Sequence, residues 1–245
     1  MIVASVIDRA LREYADHLQL ILLFSFSVVI ALLIPLFAYL PAYNSIGAIF
    51  LRNTSIFSNI TPFNFELITI STLFSLLFFS FAIVAINVIV KHSRTHTKIT
   101  QEVMRGLERY TGRVFVVLLI FTIICFLLTF ASYVYGFSIA ISYVGVLIIT
   151  SAFFYAPSSI VIDENSIIHS FRSSFNFFVK RIDYFILWVV CAIVLFTLFD
   201  FIFIAIGGPQ YAGYLSLLFD SFFILPFLVI LQSESYMKRF ALLKD

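Results

Sequence analysis

Long uninterrupted apolar runs constrain this chain more than any other feature. Six of them occupy residues 18–40, 66–90, 114–134, 139–155, 184–206 and 214–232. A helix needs roughly 20 apolar residues to cross the hydrocarbon core of a bilayer. Strands of a transmembrane barrel are instead segments of about ten residues with alternating polarity. The runs therefore predict an all-α polytopic membrane protein with six transmembrane helices.

The amino-acid composition is typical of an integral membrane protein. Of its 245 residues, 62% are hydrophobic and 11% are charged, whereas a soluble domain has about 25% charged residues. We therefore expect residues 1–245 to form a single membrane domain with the lipid bilayer as its first partner. The formal net charge of +2 gives no indication of nucleic-acid binding. Charges interrupt residues 1–17, so we expect the first run to be a span rather than a secretory leader.

The distribution of basic residues predicts the orientation. With six spans, both termini lie on the same side of the membrane. That side holds all but Arg52 of the 15 lysines and arginines. Because loops rich in Lys and Arg stay in the cytoplasm, we expect a multi-pass plasma-membrane protein with cytoplasmic N- and C-termini.

Amphipathic segments precede three of the apolar runs, within residues 2–17, 91–113 and 163–180. Each segment places apolar side chains on one face of a helix, which is typical of helices that lie in the membrane interface. The side chains of the three faces are, in chain order, Val3, Val6, Ala10, Leu11, Tyr14, Ile99, Val103, Leu107, Tyr110, Ile167, Ile168, Phe171, Phe175 and Phe178. Asp163 is the expected N-cap of the third helix, and residues 155–163 before it read as a polar elbow outside lipid.

The three segments resemble one another in sequence. Residues 10–24 read ALREYADHLQLILLF, residues 106–121 read GLERYTGRVFVVLLIF, and residues 170–187 read SFRSSFNFFVKRIDYFIL. This similarity predicts three parallel repeats of an interfacial amphipathic helix plus a two-span hairpin, in units 1–90, 91–157 and 158–236. The alternative is that any interfacial helix before a span carries such a pattern.

Two acidic residues lie inside apolar runs. Asp200 precedes the outer end of the fifth run by about two helical turns, and Asp220 follows the start of the sixth by a similar distance. Ionisable groups inside a membrane are functional candidates, and two neighbouring carboxylates can share a proton or a cation. Asp200 and Asp220 are therefore a candidate intramembrane ion or proton site. The alternative is that each stays hydrated near the interface or bonds a neighbouring Ser or Tyr.

Other polar and helix-breaking residues in the runs have structural interpretations. Pro226 lies inside the sixth run, where it should bend the helix and free the carbonyl of Phe222. Asn87 and Gln232 are expected to donate hydrogen bonds between helices. Glu234 is expected at a span boundary.

The basic segment after the second run is expected at the level of anionic headgroups, where each Lys or Arg contributes about 1 kcal/mol of attraction. The candidate anionic-lipid contacts are Lys91, Arg94, Lys98, Arg105, Arg109 and Arg113. In the first outer loop, Asn53 and Asn59 begin glycosylation sequons. These two asparagines are candidate glycosylation sites.

Motifs of catalysis and metal binding give little support to an enzyme. His92 and His96 are spaced like a metal pair but have no third ligand nearby. Asp163 and Glu164 are better explained as acids at a helix start. Cys125 and Cys191 lie inside apolar runs, and no GxSxG, HExxH or P-loop pattern is present. We therefore expect no catalytic residues, no cofactor and no metal.

The stretch 155–190 carries a resemblance to a known group. A span that ends in Pro is followed by Ile-Val-Ile-Asp-Glu and by a Ser-Phe-Arg-Ser-Ser-Phe helix before the next span. This resembles six-span prokaryotic membrane proteins similar to the membrane domain of some glycerophosphodiester phosphodiesterases and related domains of unknown function. The resemblance implies a six-span layout. The phosphodiesterases' soluble catalytic domain has no counterpart in these residues, so their activity is not carried over.

The scarcity of buried charge and the abundance of Phe and Ile favour a non-enzymatic role. We expect a scaffold or a subunit of a larger membrane assembly, with other membrane proteins as partner subunits. The alternative is a small-solute or ion transporter that uses Asp200 and Asp220 as its coupling site. An Ile-, Phe- and Ser-rich chain with outer sequons would suit an archaeal plasma membrane.

Overall fold

The computed structural model describes residues 2–37, 62–93, 99–136 and 139–238, and this part of the chain is helical without any strand. Its nine α-helices are α1 (Ile2–Asp16), α2 (Leu18–Phe37), α3 (Pro62–His92), α4 (Ile99–Val134), α5 (Ile139–Phe153), α6 (Ala156–Ile162), α7 (Ile167–Lys180), α8 (Ile182–Phe219) and α9 (Leu225–Met237). A π-helical segment, Asp220–Ile224, joins α8 to α9. The predicted all-α class is confirmed.

Among the described residues, five helical stretches are long and apolar enough to cross a membrane. They are Phe65–His92, Gln101–Ser132, Tyr143–Ile162, Ile182–Gly208 and Tyr211–Met237. A sixth candidate is the pair Ser5–Asp16 and Leu18–Ile34, which is bent by 91°. These helices are compatible with the predicted multi-pass membrane protein.

The C-terminal half of α3 is the centre of the bundle. Residues 84–90 are all buried, which is more than one helical turn, so every face of α3 is covered there. The covering helices are α2, α4, α6 and α9. α4 approaches most closely at Gly106, where a Cβ atom would lie 2.5 Å from Val88 Cγ2. Small residues at such crossings let two helices pack tightly.

The amphipathic segment of the second unit is part of a longer helix. Val103, Leu107 and Tyr110 share a buried face as predicted. However, α4 runs without interruption from Ile99 to Val134, so the separate interfacial helix expected there does not form. Residues 110–114 contain no strong helix breaker, because a single glycine costs a helix only about 1 kcal/mol.

The expected polar elbow lies largely inside the core. Residues 155–161 are buried, and α6 packs between α3, α4, α7 and α9. Ser174 of α7 closes the break between α5 and α6. Its hydroxyl donates to the carbonyl of Ala152 at 2.7 Å and accepts from the amide of Tyr155 at 3.0 Å. Residues 155–161 therefore form a short buried helix, and Ser174 satisfies the backbone at the break before it. The position of this segment outside lipid stays a prediction.

α7 has a third face, buried in the protein, in addition to the apolar and polar faces predicted from the sequence. The face buried in the protein consists of Ser170, Ser174 and Phe177. On the predicted apolar face, by contrast, Ile168 is 80% exposed and Phe175 is 52% exposed. The serines fit the close contact with α5 and α6, whereas large apolar side chains point outward.

A backbone break at Gly208 divides α8 into two spans. Gly208 has φ 67° and ψ 170°, a conformation that a residue with a Cβ rarely adopts. The break lies within residues 207–213, where the sequence predicts a turn between the fifth and sixth spans. Ile182–Gly208 and Tyr211–Met237 are consequently separate candidate spans.

The carbonyl freed by Pro226 has a partner from another helix. Proline at position 226 cannot donate to the carbonyl of Phe222, four residues earlier. The hydroxyl of Tyr14 on α1 donates to that carbonyl at 3.2 Å. The π-helical segment Asp220–Ile224 lies directly before the proline. The structure thus shows a departure from α-helical geometry beside Pro226, whereas the bend stays a prediction. At this point α1 is bonded to the π-helical segment.

We expect Tyr14→Phe to lower the free energy of unfolding by about 1 kcal/mol, the usual contribution of one hydrogen bond. In a Pro226→Ala background the cost should largely disappear, because residue 226 can then donate to the Phe222 carbonyl. A double-mutant cycle in detergent micelles measures this coupling. Tyr143→Phe, which changes an exposed tyrosine on α5, is the control. An equal cost of Tyr14→Phe in both backgrounds would contradict the assignment.

Candidate functional site

A buried polar cluster lies where the C-terminal ends of α3 and α9 meet α6. We call it the polar core, and it consists of Asn87, Ser158, Ser159, Ser233, Glu234, Ser235 and Tyr236, all of them fully buried. Buried polar groups are tolerated only when they have hydrogen-bond partners. The sequence does not predict this cluster, because its members lie on three different helices and only tertiary packing brings them together.

Side-chain amides tie α9 to its neighbours. Ser233 Oγ lies 2.7 Å from Asn87 Oδ1, and Asn87 Nδ2 donates to the carbonyl of Ile83 at 2.8 Å. Gln232 donates to the carbonyl of Phe154 at the end of α5. Gln232 is thus the interhelical donor that was expected, whereas Asn87 is an acceptor between helices and a donor within its own. Glu234 lies near the end of the candidate span Tyr211–Met237, as expected, and it is fully buried there because α9 lies inside the bundle.

Tyr236 is the hub of the polar core. Its hydroxyl donates to Asp163 Oδ2 at 2.5 Å and lies 2.8 Å from Ser173 Oγ. Its ring stacks on Tyr155 and meets Phe177 edge-on, with centroids 5.9 Å and 5.1 Å away. Tyr236 therefore fixes the C-terminal end of α6 and the polar face of α7 against α9.

Glu164 joins three parts of the bundle by ion pairs. Its carboxylate lies 3.0 Å from Lys91 Nζ on α3 and 2.8 Å from Arg109 on α4. Lys91 also donates to the carbonyl of Val161 at 3.0 Å. Glu164 has φ 57°, a left-handed conformation that costs a non-glycine residue about 1–2 kcal/mol. The ion pairs offset part of that cost.

The acids Asp163 and Glu164 do not start α7, so the predicted capping role is wrong. Asp163 is the C-cap of α6, and Ser166 occupies the N-cap position of α7. The helix begins later than expected because Asp163 is held by Tyr236 and Glu164 by Lys91. The hydrogen bond from Lys91 holds the pKa of Glu164 below its usual value, and the charges of Lys91 and Arg109 act in the same direction.

The six residues predicted to contact anionic lipid have different surroundings. Lys91 and Arg109 pair with Glu164, and Arg105 pairs with Glu102 at 3.2 Å while staying largely exposed. Arg113 is partly buried on α4. Arg94 and Lys98 lie outside the described residues. Lipid contact by the exposed arginines stays a prediction.

Several other predicted sites fall outside the described part of the chain. Asn53, Asn59 and His96 are among these residues. Within residues 2–37, 62–93, 99–136 and 139–238, no three His, Cys, Asp or Glu side chains are grouped to hold a metal ion. Cys125 is buried and Cys191 is half-buried, both as free thiols.

The structure places Asp200 and Asp220 near each other, on the two sides of the Gly208 break. Asp200 is exposed on α8 and accepts a hydrogen bond from Ser216, one helical turn before Asp220. Asp220 is 1% exposed and begins the π-helical segment. Its Oδ1 has no hydrogen-bond partner among the described residues. The two carboxylates lie within electrostatic range, and one is open while the other is enclosed.

Comparisons with protein-family models, curated proteins and solved structures found no match. The function must therefore be argued from the residues of this chain. The resemblance of residues 155–190 to the membrane domain of glycerophosphodiester phosphodiesterases stays an expectation.

We expect the Glu164 ion pairs to give stability that depends on pH. Because its folded-state pKa lies below the usual 4.5, their contribution is present above pH 4.5 and is lost as the pH falls through the folded-state value. Glu164→Gln should lower the free energy of unfolding by about 1 kcal/mol or less at neutral pH. Unfolding of both proteins in detergent from pH 7 to pH 3 measures the difference, which should vanish in acid.

Glu102→Gln is the matched control, since Glu102 pairs with Arg105 of the same helix, α4. If the free energy of unfolding of the wild-type chain still exceeds that of Glu164→Gln at the lowest pH, the ion-pair explanation is contradicted.

Proposed function

We propose that the chain is a six-span plasma-membrane protein with both termini in the cytoplasm, and that α1 with α2 provides the first span. The one-sided distribution of Lys and Arg supports this orientation. The three parallel repeat units, a relationship to the phosphodiesterase membrane domains and an archaeal source belong to the same proposal. Two of the units bend between the amphipathic segment and the span, at His17 and Arg181, and this favours a common plan.

The function that we propose is non-enzymatic, as a scaffold or a subunit of a larger membrane assembly. The observation that supports it is the poor burial of the fifth span. Only 6% of the most apolar stretch of Ile182–Gly208 is buried, against 56% for Phe65–His92 and 50% for Tyr211–Met237. This helix contributes few contacts to the bundle, so its surface is available to lipid or to helices of another protein.

Asp200 favours a protein partner over lipid at this surface. It is exposed on α8 among apolar side chains that also point outward, including Phe201 and Ile204. Lipid accepts the apolar neighbours without cost, but a carboxylate that faces hydrocarbon is expensive. Ser216 provides one donor, and an ionised carboxylate accepts more than one hydrogen bond. A partner helix with a polar residue at this level would satisfy the remainder.

Bulky substitutions on the fifth span test this proposal. We expect Ile193→Trp, at an exposed position of α8, to weaken a packed helix contact by about 1–3 kcal/mol, or roughly five- to 150-fold in affinity. The control is Leu127→Trp, a similarly exposed position on α4. Native mass spectrometry after gentle extraction from the source membrane gives the partner stoichiometry of each variant. Retention of the partner in both variants, or release of the wild-type chain alone, would overturn the proposal.

The second candidate function is ion or proton transport, and a specific feature of Asp220 favours it. A buried carboxyl oxygen without a partner is costly, and it lies in a π-helical segment, a distortion that often occurs at functional sites. Asp200 on the exposed side would connect Asp220 with the surroundings. A cation or proton that binds between the two acids would satisfy both.

Proton and sodium flux into liposomes distinguishes this candidate from the first. With transport, the purified wild-type chain should dissipate an imposed pH or sodium gradient, and Asp220→Asn should abolish the flux. Glu234→Gln, which neutralises a buried acid outside the pair, should leave most of it. Equal leak from wild-type, Asp220→Asn and empty liposomes would eliminate transport of these two ions.

A further inference from the structure

A basic cavity lies beside the polar core, to which its lining residue Asn165 is bonded through Ser159. Its volume is about 570 Å3, and it is bounded by α7, by the junction of α7 with α8 and by the end of α9. Its charged and amide side chains are Asn165, His169, Arg172, Asn176, Lys180, Arg181 and Lys238. None of the residues that line it is acidic. Four permanent positive charges therefore face a single space.

The protein itself neutralises little of this charge. Arg181 lies 3.4 Å from Asp183 and donates to the Tyr184 hydroxyl. Among the described residues, neither Arg172 nor Lys180 forms an ion pair. Lys238 Nζ donates a hydrogen bond to the hydroxyl of Ser5 at 3.4 Å. Cations gathered in this way repel one another, and an anion between them removes that repulsion.

The amphipathic character of α7 favours a position of the cavity at a membrane surface. Around the helix, the polar arc that lines the cavity adjoins an arc of exposed apolar side chains, Ile168, Phe175 and Val179. Such neighbouring arcs are typical of a helix in the interface, with its apolar side in acyl chains and its polar side among headgroups. The cavity would thus open at headgroup level, next to a surface that fits lipid tails.

We propose that this cavity binds a phosphate group, either of an anionic lipid headgroup or as inorganic phosphate. Arginine forks match phosphate oxygens in paired hydrogen bonds, and lysines add charge. Ser173 and Asn176, which also line the cavity, provide neutral donors. The space exceeds that of one phosphate and accommodates a headgroup. The site is separate from Asp200 and Asp220 and from the exposed face of the fifth span.

Lipid titration of the full chain tests the site. The purified protein in detergent is titrated with phosphatidylglycerol or with phosphatidylcholine of the same acyl chains, and native mass spectrometry counts the bound lipids. We expect one phosphatidylglycerol to bind preferentially, and we expect Arg172→Gln with Lys180→Gln to weaken it at least about tenfold. The matched control is Arg9→Gln with Arg12→Gln, which removes two positive charges of α1 that do not line the cavity and should leave binding unchanged.

Two further measurements distinguish a lipid headgroup from free phosphate and control for a variant that fails to fold. Inorganic phosphate at constant ionic strength is added as a competitor and as a stabiliser in thermal unfolding. If phosphate stabilises the wild-type chain and displaces the lipid, the site takes the free ion; if only phosphatidylglycerol binds, it takes the headgroup. Arg172→Lys keeps the charge and should retain most of the binding. Equal weakening by the cavity and control pairs, or no binding of either probe, would overturn the proposal.

Discussion

Burial of the C-terminal half of α3 on every side is the constraint on which the rest of the bundle depends. A helix covered all round must be apolar all round, and residues 84–90 obey this except at Asn87. That asparagine requires a partner inside the core, and Ser233 of α9 provides it. The position of α9 in turn brings Tyr236 against Asp163 and Ser173. One buried polar residue is thus linked to the placement of α6 and α7.

The breaks in the helices are supported by side chains from elsewhere in the chain. Ser174 and Gln232 bond the backbone between α5 and α6, and Tyr14 bonds the carbonyl freed by Pro226. Within lipid, an unsatisfied backbone group costs several kcal/mol, so breaks are tolerated only where such partners exist. Ser174, Gln232 and Tyr14 therefore stabilise these breaks from other parts of the bundle.

The structure separates two kinds of basic residue that look alike in the sequence. Lys91 and Arg109 are bound by Glu164 and hold α3 and α4 to the α6–α7 connection. Arg172 and Lys180 face a cavity that no acid lines. A count of positive charges predicts topology equally well from either kind. Only their neighbours distinguish structural ion pairs from a surface open to an anionic ligand.

The sequence by itself determined the helical class and the positions of the long apolar helices, because lipid requires such helices. It also located the distortion beside Pro226, because proline lacks a donor. It also predicted the buried face of α4 from helical periodicity. The tertiary structure decided that residues 155–161 lie inside the core, that Glu234 is buried, and that Asp163 ends one helix instead of starting another. These outcomes depend on partners such as Tyr236 and Lys91, which are distant in sequence, and no local pattern encodes such pairings.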